Sequence, residues 1–152
     1  MIFETLQTQK APHLKGAYSP ALSVCDYIFI SGQLPLEDDN TLTDGDIACQ
    51  TKRCIENLQH LLALRGLDLS YAVQVRVYLS DMNDYARMDT VFQQMFHDPY
   101  PARTVIGVNA LPMGAKIQME AYAMDTRAME ILCAQDEQES SCHDGYCSCR
   151  EK

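Results

Sequence analysis

Two residues of this chain could divide between them the handling of a small carboxylic acid. Arg103, in Tyr100-Pro101-Ala102-Arg103-Thr104, can hold a carboxylate in a two-point grip through its planar guanidinium. Glu120, in Ile117-Gln118-Met119-Glu120-Ala121, follows seventeen residues later and can take up or return a proton. Between them, Ala110-Leu111-Pro112-Met113-Gly114-Ala115 is a turn signal flanked by two apolar runs. A turn there folds two strands back on each other and brings Arg103 and Glu120 to the same end of a sheet. The spacing serves a structural ion pair across a hairpin equally well, and the two residues alone leave both readings open.

The elements that must position this pair are legible in the apolar spacing. Thr43-Asp44-Gly45-Asp46 predicts a helix start with acidic residues in the first turn. Ile47, Thr51, Cys54, Ile55, Leu58, Leu61 and Leu62 then recur at helical spacing, and Gly66 is a stop. From Ala72 to Leu79 the chain alternates, with Val73, Val75, Val77 and Leu79 on one face and Gln74, Arg76 and Tyr78 on the other, which predicts a half-buried strand. Asp84 is a candidate cap for a second helix, whose apolar stripe is Tyr85, Met88, Val91, Phe92, Met95 and Phe96. His97-Asp98-Pro99-Tyr100-Pro101 ends it. Further strands are expected at 104–108, 116–124, 21–24 and 27–31, with a short one at 2–5. Ile117, Met119, Ala121 and Ala123 should share one face of the last main strand, and Gln118, Glu120, Tyr122 and Met124 the other.

This order, strands, helix, strand, helix, strands, implies an α+β layer with both helices on one face of a mixed sheet. The uncovered face carries Tyr78, Gln118, Tyr122 and Met124, which is apolar enough to call for a homo-oligomer.

The 152-residue length fits one domain, expected over 1–126 and followed by an acidic, cysteine-rich tail over 127–152 that is read as a flexible appendage. A net charge of -9 disfavours nonspecific attraction to nucleic acid and to anionic membranes. No apolar run approaches a membrane span, and the first residues do not read as a signal peptide, so the expected location is the cytoplasm.

Seven short segments then carry a resemblance: Gly16-Ala17-Tyr18-Ser19-Pro20-Ala21, Ile30-Ser31-Gly32-Gln33-Leu34-Pro35, Gln50-Thr51 with Asn57-Leu58, Val77-Tyr78-Leu79-Ser80-Asp81-Met82, Pro101-Ala102-Arg103-Thr104, Leu111-Pro112 and Met119-Glu120-Ala121. In this order, across roughly residues 10–125, the chain resembles the RidA (YjgF) family of reactive intermediate imine deaminases. The resemblance implies a chorismate-mutase-like fold and a homotrimer with clefts between subunits. It implies hydrolysis of 2-imino or enamine acids, such as 2-aminoacrylate, to 2-keto acids and ammonia, with no metal or organic cofactor. By the same resemblance Arg103 holds the substrate carboxylate, Glu120 positions a water, and Tyr18 and Ser31 line the cleft. The chain departs from the family in carrying Asp89 where asparagine is usual and Val105 where cysteine is common; both positions are expected to contact substrate. Asp89 either sets a negative charge beside an anionic ligand or pairs locally. Val105 is tolerable if that position acts through its backbone.

Other readings are weaker. His13, His60 and His97 form no triad with a nucleophile, and no phosphate-binding glycine pattern occurs. Cys142-His143-x-x-x-Cys147-x-Cys149, with Cys133 as a further candidate ligand, has soft-metal ligand types but no standard zinc spacing; a redox-sensitive tail is the preferred reading. Against the enzyme stands a non-catalytic trimer that binds small keto acids or regulates through them. A binder needs the arginine but not the acid, so the presence of both favours the enzyme. Ribonuclease activity is disfavoured by the charge and by the lack of a basic, aromatic stripe.

Overall fold

The computed structural model describes residues 2–133. Six strands form one sheet: β1 (Phe3–Leu6), β2 (Ala21–Val24), β3 (Tyr27–Gln33), β4 (Ala72–Leu79), β5 (Ala102–Gly107) and β6 (Ile117–Met124). Their spatial order is β1-β2-β3-β6-β4-β5. All pairings are antiparallel except the parallel contact of β4 with β5. Helices α1 (Ile47–Ala63) and α2 (Tyr85–Met95) pack against each other, and α1 lies on β3 and β6. Both helices cover the same face of this mixed α+β sheet, as the alternation of apolar residues requires.

The core lies between that face and the helices. Ile28, Ile30, Val75, Val77, Leu79, Ile117, Met119, Ala121 and Ala123 rise from the strands to meet Ile47, Cys54, Ile55, Leu58, Leu61 and Leu62 of α1 and Met88 and Phe92 of α2. Asp46 caps α1 by accepting from the amides of Ala48 and Cys49, and these bonds, with the neighbouring Arg87 guanidinium, hold its carboxyl below the ordinary range.

Buried polar groups on α1 fix the irregular chain after β3. The Asn57 side-chain amide donates to the carbonyls of Leu34 (3.1 Å) and Leu36 (3.2 Å). Gln50 accepts from the Lys116 amide at 2.9 Å and donates to the Thr43 carbonyl at 3.1 Å. These bonds satisfy backbone groups that no strand partner reaches.

Three expectations are corrected. First, β5 and β6 form no hairpin, because β4 lies between them and pairs with both. The segment around Pro112–Gly114 does turn, with Met113 and Gly114 at positive φ, but it carries the chain past β4 instead of closing two neighbours. Second, Val73 does not share the core face: the register with β6 shifts between Ala72 and Gln74, so Ala72 is buried and Val73 is 55% exposed. A bulge resets the two-residue phase in a way that alternation alone does not reveal. Third, the Asp84 side chain makes no cap bond to α2; Asp81 instead accepts from the Asn83 amide in the turn just before the helix.

Residues 127–133 are helical. They are tied to the body by Arg127, which pairs with Asp125 at 2.6 Å and donates to the Arg65 carbonyl at 3.0 Å. The tail beyond 133, with Cys142, Cys147 and Cys149, lies outside the described residues.

Replacing Asn57 with alanine removes two buried hydrogen bonds, although the Leu34 carbonyl keeps the Leu36 amide and the Leu36 carbonyl keeps Arg53 Nε as donors, so Asn57→Ala is expected to lower stability by about 1–3 kcal/mol, read as a lower urea midpoint at unchanged slope. Cys54 is fully buried, which pushes its thiol up, whereas Cys25 and Cys49 are exposed. A thiol reagent should therefore label Cys25 and Cys49 in the native protein and Cys54 only after unfolding, as peptide mass spectrometry would show.

Candidate active site

Strand pairing decides where the two opening residues point. Arg103 lies opposite Val75, a core residue, and therefore projects to the helix face. Glu120 lies opposite Arg76, one step out of phase, and projects to the other face. The pair thus sits at one level of the sheet, separated by β4 and facing opposite ways. Each has an ion-pair partner, and in neither case is it the other. Glu120 Oε1 accepts from Arg76 Nη1 at 3.0 Å, and Arg103 Nη1 meets Asp89 Oδ1 at 2.7 Å.

Arg103 is held by α2. Its guanidinium lies 4.5 Å from the centre of the Phe92 ring, a desolvated arrangement that favours a cation. Its Nη2 donates to the Tyr85 hydroxyl at 3.3 Å. Asp89 is fixed in turn, since its Oδ2 accepts from the Gln93 amide at 2.8 Å. Asp89 thus takes the local-pairing alternative, and its partner is the arginine itself. Asp89, Phe92, Gln93, Tyr100, Pro101 and Arg103 line a cleft of about 540 Å³ beside the outer edge of β5. The Arg103 side chain stays 21% exposed there, enough to meet a ligand. Val105, two residues further on, faces the core beside Val77.

A second cleft, of about 500 Å³, includes His13, Lys15, Tyr18, Ser31, Gly32 and Gln118 among its lining. Tyr18 and Ser31 are therefore brought together, but neither joins the Arg103 cleft of the same chain. The Ser31 hydroxyl donates to the Ser19 carbonyl at 2.7 Å, so its oxygen still has acceptor capacity. Tyr18 is 43% exposed and packs edge-on to His13. Partial burial raises its phenol, opposed by a backbone hydrogen bond at Leu14. A Cβ at Gly32 would come within 2.6 Å of the Gln118 side-chain nitrogen, which donates to the Gly32 carbonyl at 3.3 Å, so a larger residue there would have to displace the Gln118 side chain.

Glu120 lies two residues from Gln118 on the same strand face. Tyr78, on that face of β4, has its phenol raised by burial and by the Glu120 charge. Hydrogen bonding to Glu120 raises the Arg76 guanidinium. Arg76, Tyr85 and Phe92 were not singled out for the site from the sequence. Alternation marked Arg76 as facing the same side as a polar partner, but naming that partner as Glu120 needed the strand order. Among the described residues no three His, Cys, Asp or Glu side chains are grouped to hold a metal ion, and no helix is long and apolar enough to cross a membrane.

Comparison with known proteins gives the family of the chain. Residues 8–125 match the family model described as Endoribonuclease L-PSP, and a solved RidA from the Antarctic bacterium Psychrobacter sp. is 34% identical, with a TM-score of 0.76 over 80% of this chain and 98% of that one. This chain belongs to the RidA family. A RutC family protein of Pyrococcus abyssi is 42% identical to this RidA-family chain over 124 residues, 81% of this chain and 98% of that protein. The human 2-iminobutanoate/2-iminopropanoate deaminase is 34% identical over 125 residues, 82% of this chain and 91% of the human protein. The RidA match ends at Asp125, just before the tail.

Proposed function

We propose that this RidA-family protein hydrolyses reactive 2-imino and enamine acids, 2-aminoacrylate among them, to 2-keto acids and ammonia, and does so as a homotrimer. The observation that carries the reading is the Arg103 guanidinium, stacked on Phe92 and pinned by Asp89 and Tyr85 at the mouth of a ligand-sized cleft. An arginine so fixed, with donors to spare, suits a carboxylate. Similarity to a protein named as an imine deaminase supplies the substrate class.

In the proposed reaction the substrate binds as R–C(=NH2+)–COO−, a form that an enamine such as 2-aminoacrylate reaches by taking a proton from solvent at its β-carbon, with its carboxylate on Arg103. A water held by Glu120 adds to the imine carbon while the carboxylate takes its proton. The tetrahedral carbinolamine that results carries the former imine nitrogen as an amine. Glu120 returns its proton to that nitrogen, and as the C–O bond closes to C=O the departing ammonia takes up the hydroxyl proton and leaves as ammonium, so that a 2-keto acid remains. No redox change occurs. Tyr18 and Ser31, as hydroxyl groups lining a cleft, would orient the water and substrate, while Val105 would contact substrate through its backbone.

The need for more than one copy follows from direction. Arg103 and Glu120 face opposite sides of one sheet, so a single small substrate meets both only if two copies contribute one each. The uncovered face also exposes Tyr27 (53%) and Phe29 (44%) beside Tyr122, an aromatic patch that a second copy would shield. The family resemblance supplies the number three. The unpaired thiols Cys25, Cys49 and Cys54 suit the reducing cytoplasm.

The assay is ammonia release from 2-aminoacrylate generated in situ. Arg103→Ala is expected to abolish the enzyme's contribution, and Glu120→Gln to slow it by roughly 100- to 10,000-fold, with far-ultraviolet circular dichroism unchanged in both. Wild-type turnover in either variant removes that residue from the mechanism. A Glu120→Gln protein that still binds 2-oxobutyrate, combined with a wild type that never accelerates ammonia release, would favour the keto-acid-binding alternative.

Light scattering is expected to give the mass of three chains at micromolar protein. Coexpressing Arg103→Ala and Glu120→Gln chains should restore part of the activity, because some interfaces then pair an intact Arg103 with an intact Glu120. A monomer mass, or mixed assemblies as inactive as their parents, would overturn the shared site.

A further inference from the structure

Arg103 is not a free cation. Of its five N–H donors, one on Nη2 is engaged by the Tyr85 hydroxyl at 3.3 Å, and Nη1 forms an ion pair with Asp89 Oδ1 at 2.7 Å. Its ring-facing side is filled by Phe92. Asp89 cannot easily swing away, because its second oxygen is held by Gln93 and its side chain is only 24% exposed. A carboxylate that docks on the remaining donors therefore shares one guanidinium with a second carboxylate. Arg103 and Asp89 together carry no net charge, but they form a fixed dipole at the cleft wall.

Such a dipole discriminates by ligand charge. A 2-keto acid brings a carboxylate alone, and meets Asp89 as a like charge across a single arginine. A 2-iminium or 2-amino acid brings a carboxylate and, on the adjacent carbon, a cationic nitrogen. That ligand is also a dipole, and it can lie antiparallel to the one in the wall, carboxylate towards Arg103 and nitrogen towards Asp89. We infer that Asp89 is a specificity-determining residue that tunes the Arg103 cleft to zwitterionic acids with a cationic nitrogen beside the carboxylate, and against the anionic keto acid. This deepens the proposed function and rests on its assignment of Arg103 as the carboxylate-binding group. For a hydrolase of this kind the consequence is practical: the substrate is retained as a zwitterion, and product release is favoured once the nitrogen is lost.

The test uses two ligands with the same carbon skeleton, L-2-aminobutyrate and 2-oxobutyrate, titrated into the full-length protein by calorimetry near neutral pH and low salt. The wild type is expected to bind the amino acid more tightly than the keto acid. Asp89→Asn should tighten 2-oxobutyrate about tenfold and weaken the amino acid, as expected for removing one charge at a few ångströms in a partly screened site. Asp89→Glu, which keeps the charge, should retain the wild-type order. A purely structural Asp89 would shift both ligands together and leave their ratio alone. An unchanged ratio in Asp89→Asn overturns the inference while leaving the small-acid site intact, and so does a wild type that prefers the keto acid, whatever the variants do. Failure of both ligands to bind the wild type, or binding of both unchanged in Arg103→Ala, would instead bring down the assignment of Arg103 itself and this inference with it.

Discussion

Strand β4 is hydrogen-bonded on both sides, to β5 in parallel and to β6 antiparallel, and the phase of its side chains governs which way Arg103 and Glu120 point. Val75, Val77 and Leu79 must face the helices, because they supply the middle of the core. Once they do, the pleat sends Arg76 and Tyr78 to the other side. Their partners across the ladder follow: Arg103 stands with Val75 and Glu120 with Arg76. No local adjustment can bring those two side chains to one face, since shifting either strand by one residue would also turn its apolar residues out of the core.

The two faces of the sheet have accordingly been put to different use. On the helix face, α2 provides a wall of Tyr85, Asp89 and Phe92 that immobilises a guanidinium at the open edge. On the other face, Arg76, Glu120 and Tyr78 form a polar group next to the aromatic side chains of Phe29 and Tyr122. Charge in the midst of such apolar surface is costly unless it is paired, and the Arg76–Glu120 contact answers that need within one chain. A partner covering this face would strengthen that ion pair by removing water from it. Arg76 engages only one of the two carboxylate oxygens of Glu120.

Asp89 illustrates how a single residue acquires meaning only in three dimensions. In the sequence it is one more acid on an amphipathic helix, in a chain with a net charge of -9. In the fold it is the direct partner of the residue best suited to bind an anion. Arg103 is thereby oriented and partly neutralised by the same contact, so geometry and charge selectivity are coupled at one position.

Much of this protein could be read from its residues. The spacing of Ile47, Cys54, Ile55, Leu58, Leu61 and Leu62 announced α1, and alternation announced β4 and β6, because burial of one face imposes a period that survives in sequence. The chemical character of Arg103 and Glu120 was equally visible, since it belongs to the side chains themselves. What remained hidden were relations between distant segments. The insertion of β4 between β5 and β6, the bulge that expels Val73, the pairing of Asp89 with Arg103 and that of Arg76 with Glu120 each depend on which strand or helix is adjacent to which. Local periodicity states that a residue faces a side; only the closed packing of helices on the sheet, with each apolar face buried once, decides what it meets there.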